Sequence, residues 1–313
     1  MSLTVALQMD PLAPIDIDGD SSFALGLEAQ KRGYKLMHYG PTDLTYQNGE
    51  ITAWMAPIEL RREKGNHFTQ GERVKRPVTD LDVVLMRQDP PFDMQYISGT
   101  HLLEQVHPKP FVCNHPVSVR NAPEKLLVTQ FADLMPPTLI THSMEDMKAF
   151  RDEYKDIIVK PLFGNGGAGV FHLKPDDENL SALVENHMAV SREPLMVQKY
   201  LPEIRQGDKR VIIVDGEPIG AINRIPAEGE ARANMHVGGR ADPVGLTDRD
   251  REVCERLKPL LVEQDLIFVG IDMIGDWLTE INVTSPTGLQ ELQRFFGVDG
   301  AALIWDAIEK RVA

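Results

Sequence analysis

Three residues near the end of the chain, Asp272, Glu280 and Asn282, carry the most specific chemistry in this sequence. Glu280 and Asn282 stand two apart, so on a strand they share one face. Gly275 and Asp276 offer a two-residue turn. A hairpin about them sets Asp272 opposite Glu280, with Cβ atoms about 5 Å apart. Two carboxylates facing each other on a sheet repel unless a cation lies between them. With an amide oxygen added and neither His nor Cys present, the set offers hard ligands suited to Mg²⁺ bridging phosphates. Taken alone it is a polar, solvent-facing stripe, but the apolar neighbours Ile267, Phe268, Val269, Ile271 and Met273 argue against full exposure.

A second constellation lies upstream. The run Gly164-Asn165-Gly166-Gly167-Ala168-Gly169 satisfies G-x-G-x-x-G. A dinucleotide fingerprint needs a strand before it and a helix after it, and only the strand is present. Residues 170–173 are strand-like and Pro175 follows soon, so a helix there would favour a nicotinamide-binding oxidoreductase and a strand would not. No Gly-Lys-Ser/Thr follows, so the run is not a Walker P-loop. The pattern predicts a β-hairpin whose glycine-rich tip can fold backbone N–H groups over phosphates. Lys160 ends the strand before the loop, and Lys125 opens a helical segment after Pro123. Each lysine alone is an ordinary solvated charge. With the loop they could offset nucleotide phosphates as point charges.

Arginines recur at strand ends. Arg87 follows the apolar run 81–86, and Arg210 and Arg224 flank a hairpin turning at Asp215 and Gly216. Ligands favour the carboxyl ends of parallel strands, and guanidinium groups there suit carboxylates. Residues 226–240 read as a loop of about 15 residues with Arg232, Gly238, Gly239 and Arg240, long enough to act as a lid.

The elements that must position these groups follow from periodicity. Residues 3–8 and 35–39 read as strands about a helix opened by Ser21 or Ser22, with Phe23, Ala24 and Leu27 on one face, and closed by Gly33. That βαβ start implies a parallel sheet, and residues 81–86 and 111–113 extend it. Residues 41–79 show weak periodicity and read as a peripheral hairpin and a loop. A boundary falls at residues 121–123, after which short strands alternate with Gly- and Pro-rich turns. Domains are expected at 1–122, 123–201 and 202–313, in an α/β chain with a parallel-sheet domain followed by a two-lobed α+β unit.

Composition narrows the function classes. The chain has 313 residues, with 33 basic and 47 acidic side chains and a net charge of -14. That balance opposes extended binding to nucleic acid. No run approaches the ~18 apolar residues of a membrane span, and the N-terminus lacks a signal-peptide pattern. Cys113 and Cys254 are too few for a disulfide framework or a cysteine-rich zinc site and read as buried apolar residues in a reducing compartment. A cytoplasmic protein is expected.

The order Lys125, Lys160 with the glycine loop, Gln198-Lys199-Tyr200-Leu201-Pro202, Asp208-Lys209-Arg210 and Asp272…Glu280-Ile281-Asn282 resembles an ATP-grasp carboxylate–amine ligase. Met9-Asp10-Pro11, Asp20-Ser21-Ser22-Phe23-Ala24, the LMRQDPPFD stretch from Leu85 to Asp93 and EINVTSPT from Glu280 to Thr287 are more specific, and are similar to the prokaryotic glutathione synthetase family. Leu127 departs from it, since an aromatic residue often follows Glu-Lys-Leu there. The resemblance covers nearly the whole chain. It implies that Lys125 and Lys160 contact ATP phosphates, that Gly164, Asn165, Gly166 and Gly167 close over them, and that the Gln198–Leu201 hinge holds adenine by side-chain and backbone hydrogen bonds. Asp208 joins the nucleotide site. Asp272, Glu280 and Asn282 would hold Mg²⁺, with Mn²⁺ as a substitute. Arg87, Arg210, Arg224, Ser285, Pro286 and Thr287 would bind the acyl substrate, with Arg210 and Arg224 at the reaction centre. The implied substrates are γ-glutamylcysteine and glycine, and the implied assembly is a homo-oligomer, a tetramer in the family. Another ATP-grasp ligase, joining glutamate or D-alanine, would share the catalytic parts. A noncatalytic nucleotide sensor is the further alternative, opposed by the complete set of metal-type ligands.

Overall fold

The computed structural model describes residues 2–227 and 239–313. The first part is built on a mixed sheet. Strands β1 (Thr4–Gln8), β2 (Lys35–Tyr39), β7 (Val83–Met86) and β8 (Phe111–Cys113) run parallel in the order β2-β1-β7-β8. Helix α1 (Ser21–Lys31) makes the first crossover, and α2 (Met94–Glu104) and α3 (Pro116–Asn121) flank the later strands. Val5, Ala6, Leu7, Val83 and Val84 are fully buried, which explains their unbroken apolar runs.

The α1 cap differs from the sequence expectation. Asp20 is the N-cap and accepts from the Phe23 N–H at 2.6 Å, while Ser21 and Ser22 are buried. Inward-facing Leu25 and Ala29 join Phe23 on the packed face, whereas Ala24 and Leu27 are half-buried. Residues 41–79 hold more structure than expected. Strands β3 (Leu44–Gln47), β4 (Glu50–Leu60), β5 (Phe68–Gln70) and β6 (Val74–Pro77) add antiparallel pairings, so the sheet is not purely parallel. The β3–β4 turn uses Asn48 and Gly49, both at positive φ.

The central lobe is a four-stranded antiparallel sheet, β11-β10-β12-β9, made from β9 (Thr138–Thr141), β10 (Ile157–Pro161), β11 (Phe171–Leu173) and β12 (Leu195–Lys199). It follows the short helix α4 (Glu124–Leu127) and is covered by α5 (Met144–Tyr154) and α6 (Leu180–Val190). Ser143 caps α5 by accepting from the Asp146 N–H.

The C-terminal lobe is a five-stranded antiparallel sheet, β15-β14-β13-β16-β17. Its strands are β13 (Asp208–Val214), β14 (Glu217–Ile225), β15 (Arg240–Val244), β16 (Phe268–Ile274) and β17 (Trp277–Asn282). Helix α7 (Asp248–Glu263) opens on a capping box of Thr247 and Asp250. Helices α8 (Leu289–Phe296) and α9 (Gly300–Val312) close the chain. The last helix packs on the first: the Trp305 indole N–H donates to the Leu25 carbonyl at 2.9 Å, and Arg32 pairs with Glu309 at 2.7 Å. Among the described residues no helix is long and apolar enough to cross a membrane.

Candidate active site

A cleft of about 440 Å³ lies where the three parts meet. Its size suits a small-molecule ligand. One wall is the β16–β17 hairpin, which turns at Gly275 and Asp276 and sets Asp272 opposite Glu280. The register places Asn282 opposite Gly270. The cations beside the two carboxylates are side chains. Arg210 forks onto Asp272 through Nε and Nη2, and Arg224 reaches Asp272 at 2.9 Å and Asp208 at 2.5 Å. Lys125 and Lys160 stand 3.5 and 3.4 Å from Glu280 Oε1. The facing carboxylates are thus balanced without a metal, which removes the repulsion argument for one.

The donor set still fits Mg²⁺ in part. Glu280 is 22% exposed in the cleft wall, and Asn282 donates its amide N–H to Asp272 at 3.3 Å, leaving its oxygen without that role. Both Asp272 oxygens are held by guanidinium groups, so Asp272 is the weaker candidate ligand. No cluster of three His, Cys, Asp or Glu suited to a metal occurs among the described residues. A hexacoordinate ion here would need phosphate and water oxygens as well.

The electrostatics follow from burial and pairing. Burial alone would raise Asp272, but Arg210 and Arg224 hold it below the usual carboxylate range. Burial likewise opposes ionisation of Glu280, and Lys125 and Lys160 bring it below its ordinary value. Asp208 goes the other way: burial lifts it to about 7 despite Arg224, with Asp272 adding repulsion. Burial lowers Lys160.

The opposite wall belongs to the central lobe. Strands β10 and β11 pair as a hairpin, so a strand follows Gly169 and the dinucleotide-fold reading falls. Gly166, Gly167 and Gly169 all have positive φ, which a glycine-rich tip permits. The Lys125 ammonium donates to the Gly164 carbonyl at 2.6 Å and ties this loop to α4. Gln198, Lys199, Tyr200 and Leu201 line the cleft beside the loop. Gln198 donates to the Thr138 hydroxyl at 2.9 Å, and the N–H groups of Lys199 and Tyr200 are taken by the Pro137 and Asp156 carbonyls. Adenine recognition through those two N–H groups is therefore closed. His172, which the sequence did not single out, stacks on Tyr200 with ring centroids 3.9 Å apart and ties β11 to the hinge.

The cleft floor is the segment after β17. Ser285, Pro286 and Thr287 line it. Arg87 does not: it is 5% exposed, donates to the Ser22 hydroxyl at 3.0 Å and to the Pro286 carbonyl at 2.8 Å, and lies over the Phe268 ring. The expectation of a direct carboxylate ligand is corrected to a strut behind the floor, because burial is invisible in a strand-end pattern. Asn114 braces the same region, donating to the Phe268 and Val283 carbonyls at 2.8 Å. Gly270 also went unnoticed. A Cβ there would lie 2.8 Å from Arg210 Cδ and 3.2 Å from Pro286 Cβ, so the bare backbone lets the arginine lie across the strand. Glu124, likewise unmarked in the sequence, lines the cleft.

Two expected lid residues, Arg232 and Gly238, lie outside the described residues. Gly239 directly precedes β15, and Arg240 opens that strand opposite Ile225. Arg240 is exposed and pairs with Asp242 at 2.7 Å. It is a strand-edge residue, not part of a structureless loop. Burial pushes the thiols of Cys113 and Cys254 up to about 12, and both are free.

Residues 3–120 match the family model described as the N-terminal domain of prokaryotic glutathione synthetase, and residues 124–297 match its ATP-grasp domain. The chain belongs to the prokaryotic glutathione synthetase family. It is 57% identical over 309 residues to a glutathione synthetase of Mesorhizobium japonicum, covering 99% of each chain. It is 44% identical over 312 residues to that of Escherichia coli K12, again with 99% of each covered. The activity is that of a glutathione synthetase, an ATP-using ligase. Among solved structures, the D-cycloserine synthetase DcsG overlays with a TM-score of 0.70 at 15% identity, over 99% of this chain and 100% of that one. The ATP-grasp ligase PsnB, in a complex with Mg and ADP, overlays at 0.64 and 18% identity, over 100% and 99%. Both likenesses concern the fold.

Proposed function

We propose that this cleft joins the free carboxylate of the cysteine residue of γ-glutamylcysteine to the amine of glycine, using ATP and passing through an acyl phosphate. The observation that carries the reading is the convergence of hinge, glycine loop, two lysines and two arginines on residues 284–287 in one cleft. A carboxylate is a poor electrophile at neutral pH, and phosphoryl transfer gives it a good leaving group. Lys125 and Lys160 face the phosphates beneath the loop of Gly164, Asn165, Gly166 and Gly167. Gln198, Lys199, Tyr200 and Leu201 border the adenine. Asp208 and Asp272 aim Arg224 and Arg210 at the acyl carboxylate and at the oxyanion that forms from it. Ser285, Pro286 and Thr287 shape the acyl pocket, with Arg87 fixing the Pro286 carbonyl from behind. Glu280 and Asn282, with Asp272 behind them, would hold Mg²⁺ or Mn²⁺, which supplies positive charge against the phosphates when bound. The closed-off thiols leave no role for a covalent cysteine intermediate.

Mass spectrometry of products from γ-glutamylcysteine, glycine, ATP and Mg²⁺ tests the reading. Glutathione, with ADP release dependent on glycine, is the expected result. Product formation with D-alanine or glutamate in place of these substrates would move the chain to another ligase class. A homo-oligomeric, cytoplasmic enzyme, tetrameric by resemblance, belongs to the same proposal, and sedimentation of the purified protein checks the assembly.

A further inference from the structure

We propose that Glu124 anchors the ammonium group of the acceptor amino acid. The inference rests on the ligase reading of the cleft. Three of the other carboxylates in its wall are already committed: Asp208 to Arg224, Asp272 to Arg210 and Arg224, and Glu280 to Lys125 and Lys160. Glu124 differs. Among the described residues its side chain accepts one hydrogen bond, from the neutral Thr284 hydroxyl at 3.0 Å. The cations around the cleft suit phosphates and carboxylates. The acceptor is the one reactant whose reacting group arrives as a cation, and it needs an acceptor oxygen bearing negative charge.

Position agrees with charge. Glu124 opens α4, and the next residue, Lys125, reaches the glycine loop. Its own partner, Thr284, opens the floor segment that continues through Ser285, Pro286 and Thr287. Glu124 therefore stands between the phosphate end of the cleft and the acyl end, where the amine must approach the activated carboxyl group. Burial, and repulsion from Glu280, raise its carboxyl group to about 7 against the pull of Lys125 and Arg210, neither of which is its ion-pair partner at contact distance. An ammonium partner would reverse that effect. Asp89 also lines the cleft but is exposed at its rim, which makes it the control.

Glu124→Gln keeps an oxygen for the Thr284 hydroxyl and removes the charge. The test uses the full chain with ATP, Mg²⁺ and γ-glutamylcysteine, and compares two nucleophiles. Glycine brings an ammonium group, whereas hydroxylamine is small and largely uncharged at neutral pH. Hydroxamate formation should stay within about 2-fold of the parent, while the KM for glycine rises about 10- to 100-fold. Glu124→Asp should recover part of that loss, and Asp89→Asn should leave the glycine KM unchanged. An unchanged glycine KM in Glu124→Gln overturns the inference. So does a parallel fall in both reactions, which would place Glu124 in acyl-phosphate formation or in the fold. A loss carried by Asp89→Asn instead moves the anchor to the rim. If the parent enzyme makes no glutathione from γ-glutamylcysteine and glycine, the substrate reading of the cleft fails, and that result is distinct from all of these.

Discussion

Val159 and Ile271 are both fully buried strand residues on opposite sides of the cleft, yet they belong to different kinds of core. Val159 packs with Met147, Ile157, Leu173, Leu180, Val184, Leu195 and Val197, all from the central lobe. Ile271 belongs to a core that runs from Ala6 and Val84 through Val211 to Leu278, joining the N-terminal sheet to the C-terminal lobe. A second shared core joins Leu7 and Leu25 to Ile304 and Trp305. Two antiparallel sheets of similar size are thus anchored differently. The lobe that carries the glycine loop and the hinge has one core of its own, while its Leu162 and Met196 reach into the shared core. The lobe that carries the carboxylates and arginines is fused to a platform. On the proposed reading, such a partition lets the nucleotide side shift against a fixed reaction centre.

The largest expected effect is on the platform. Glu280→Gln keeps shape and removes one charge that Lys125 and Lys160 face. Turnover should fall about 10³-fold with little change in melting temperature. Steady-state kinetics across Mg²⁺ concentrations check it, and unchanged turnover at limiting Mg²⁺ removes Glu280 from the metal site.

Next come the two cores themselves. Met147→Ala and Ile304→Ala each delete a fully buried side chain, at about 2–5 kcal/mol. The first should speed hydrogen exchange across residues 138–199 alone, and the second should speed it throughout the platform. Equal, global responses would mean that the central lobe is not a separate unit.

Gly270→Ala probes rigidity at the reaction centre. Its Cβ would press on Arg210 and Pro286, and a platform strand has little room to yield. A 10- to 100-fold loss of kcat/KM is expected, about 1.4–2.7 kcal/mol of transition-state stabilisation. Gly166→Ala, in the loop, meets no atom within 4 Å and should cost only the strain of its positive φ, roughly 1 kcal/mol.

The smallest effect is pH dependence in the ligand-free protein. Burial raises the Glu124 carboxyl group to about 7 in the folded chain from an ordinary 4.5. Between those values the folded state keeps a proton that the unfolded chain has lost, so stability falls as pH rises through that window. Glu280, held low, works in the opposite sense and loses its contribution as pH falls below its ordinary value. Urea unfolding of Glu124→Gln at pH 5 and pH 8 should show a flatter dependence than the parent.

The β16–β17 hairpin was legible because its turn and its period-2 spacing are local. So was the β10–β11 hairpin, where a strand-like run after Gly169 decided against a helix. The function was legible because motifs of specific composition recur along the whole chain. Arg87 was misread because the pattern that puts an arginine at a strand end does not say whether the end is open or covered. Glu124 escaped notice because its short helix carries no periodicity and its partner lies 160 residues away. Gly270 escaped because a glycine required by a neighbour's side chain leaves no turn signal. The hairpin at Asn48 and Gly49 was within reach, since Asn-Gly is a strong turn signal, but the charged residues after it obscured the strand.

The seam between the first and last helices also bears on how the chain is made. Leu25 and Trp305 come from opposite ends of the sequence and share one core. Trp305 leaves the ribosome 280 residues after Leu25. Until the Gly300–Val312 helix emerges, the outer face of α1 has no cover, and the nascent N-terminal sheet waits with apolar surface exposed. The central lobe has no such delay, because its core closes over a short stretch of chain. Synthesis order and folding order should therefore run apart in this enzyme. The middle of the chain can settle first, and the beginning only after the end has been translated.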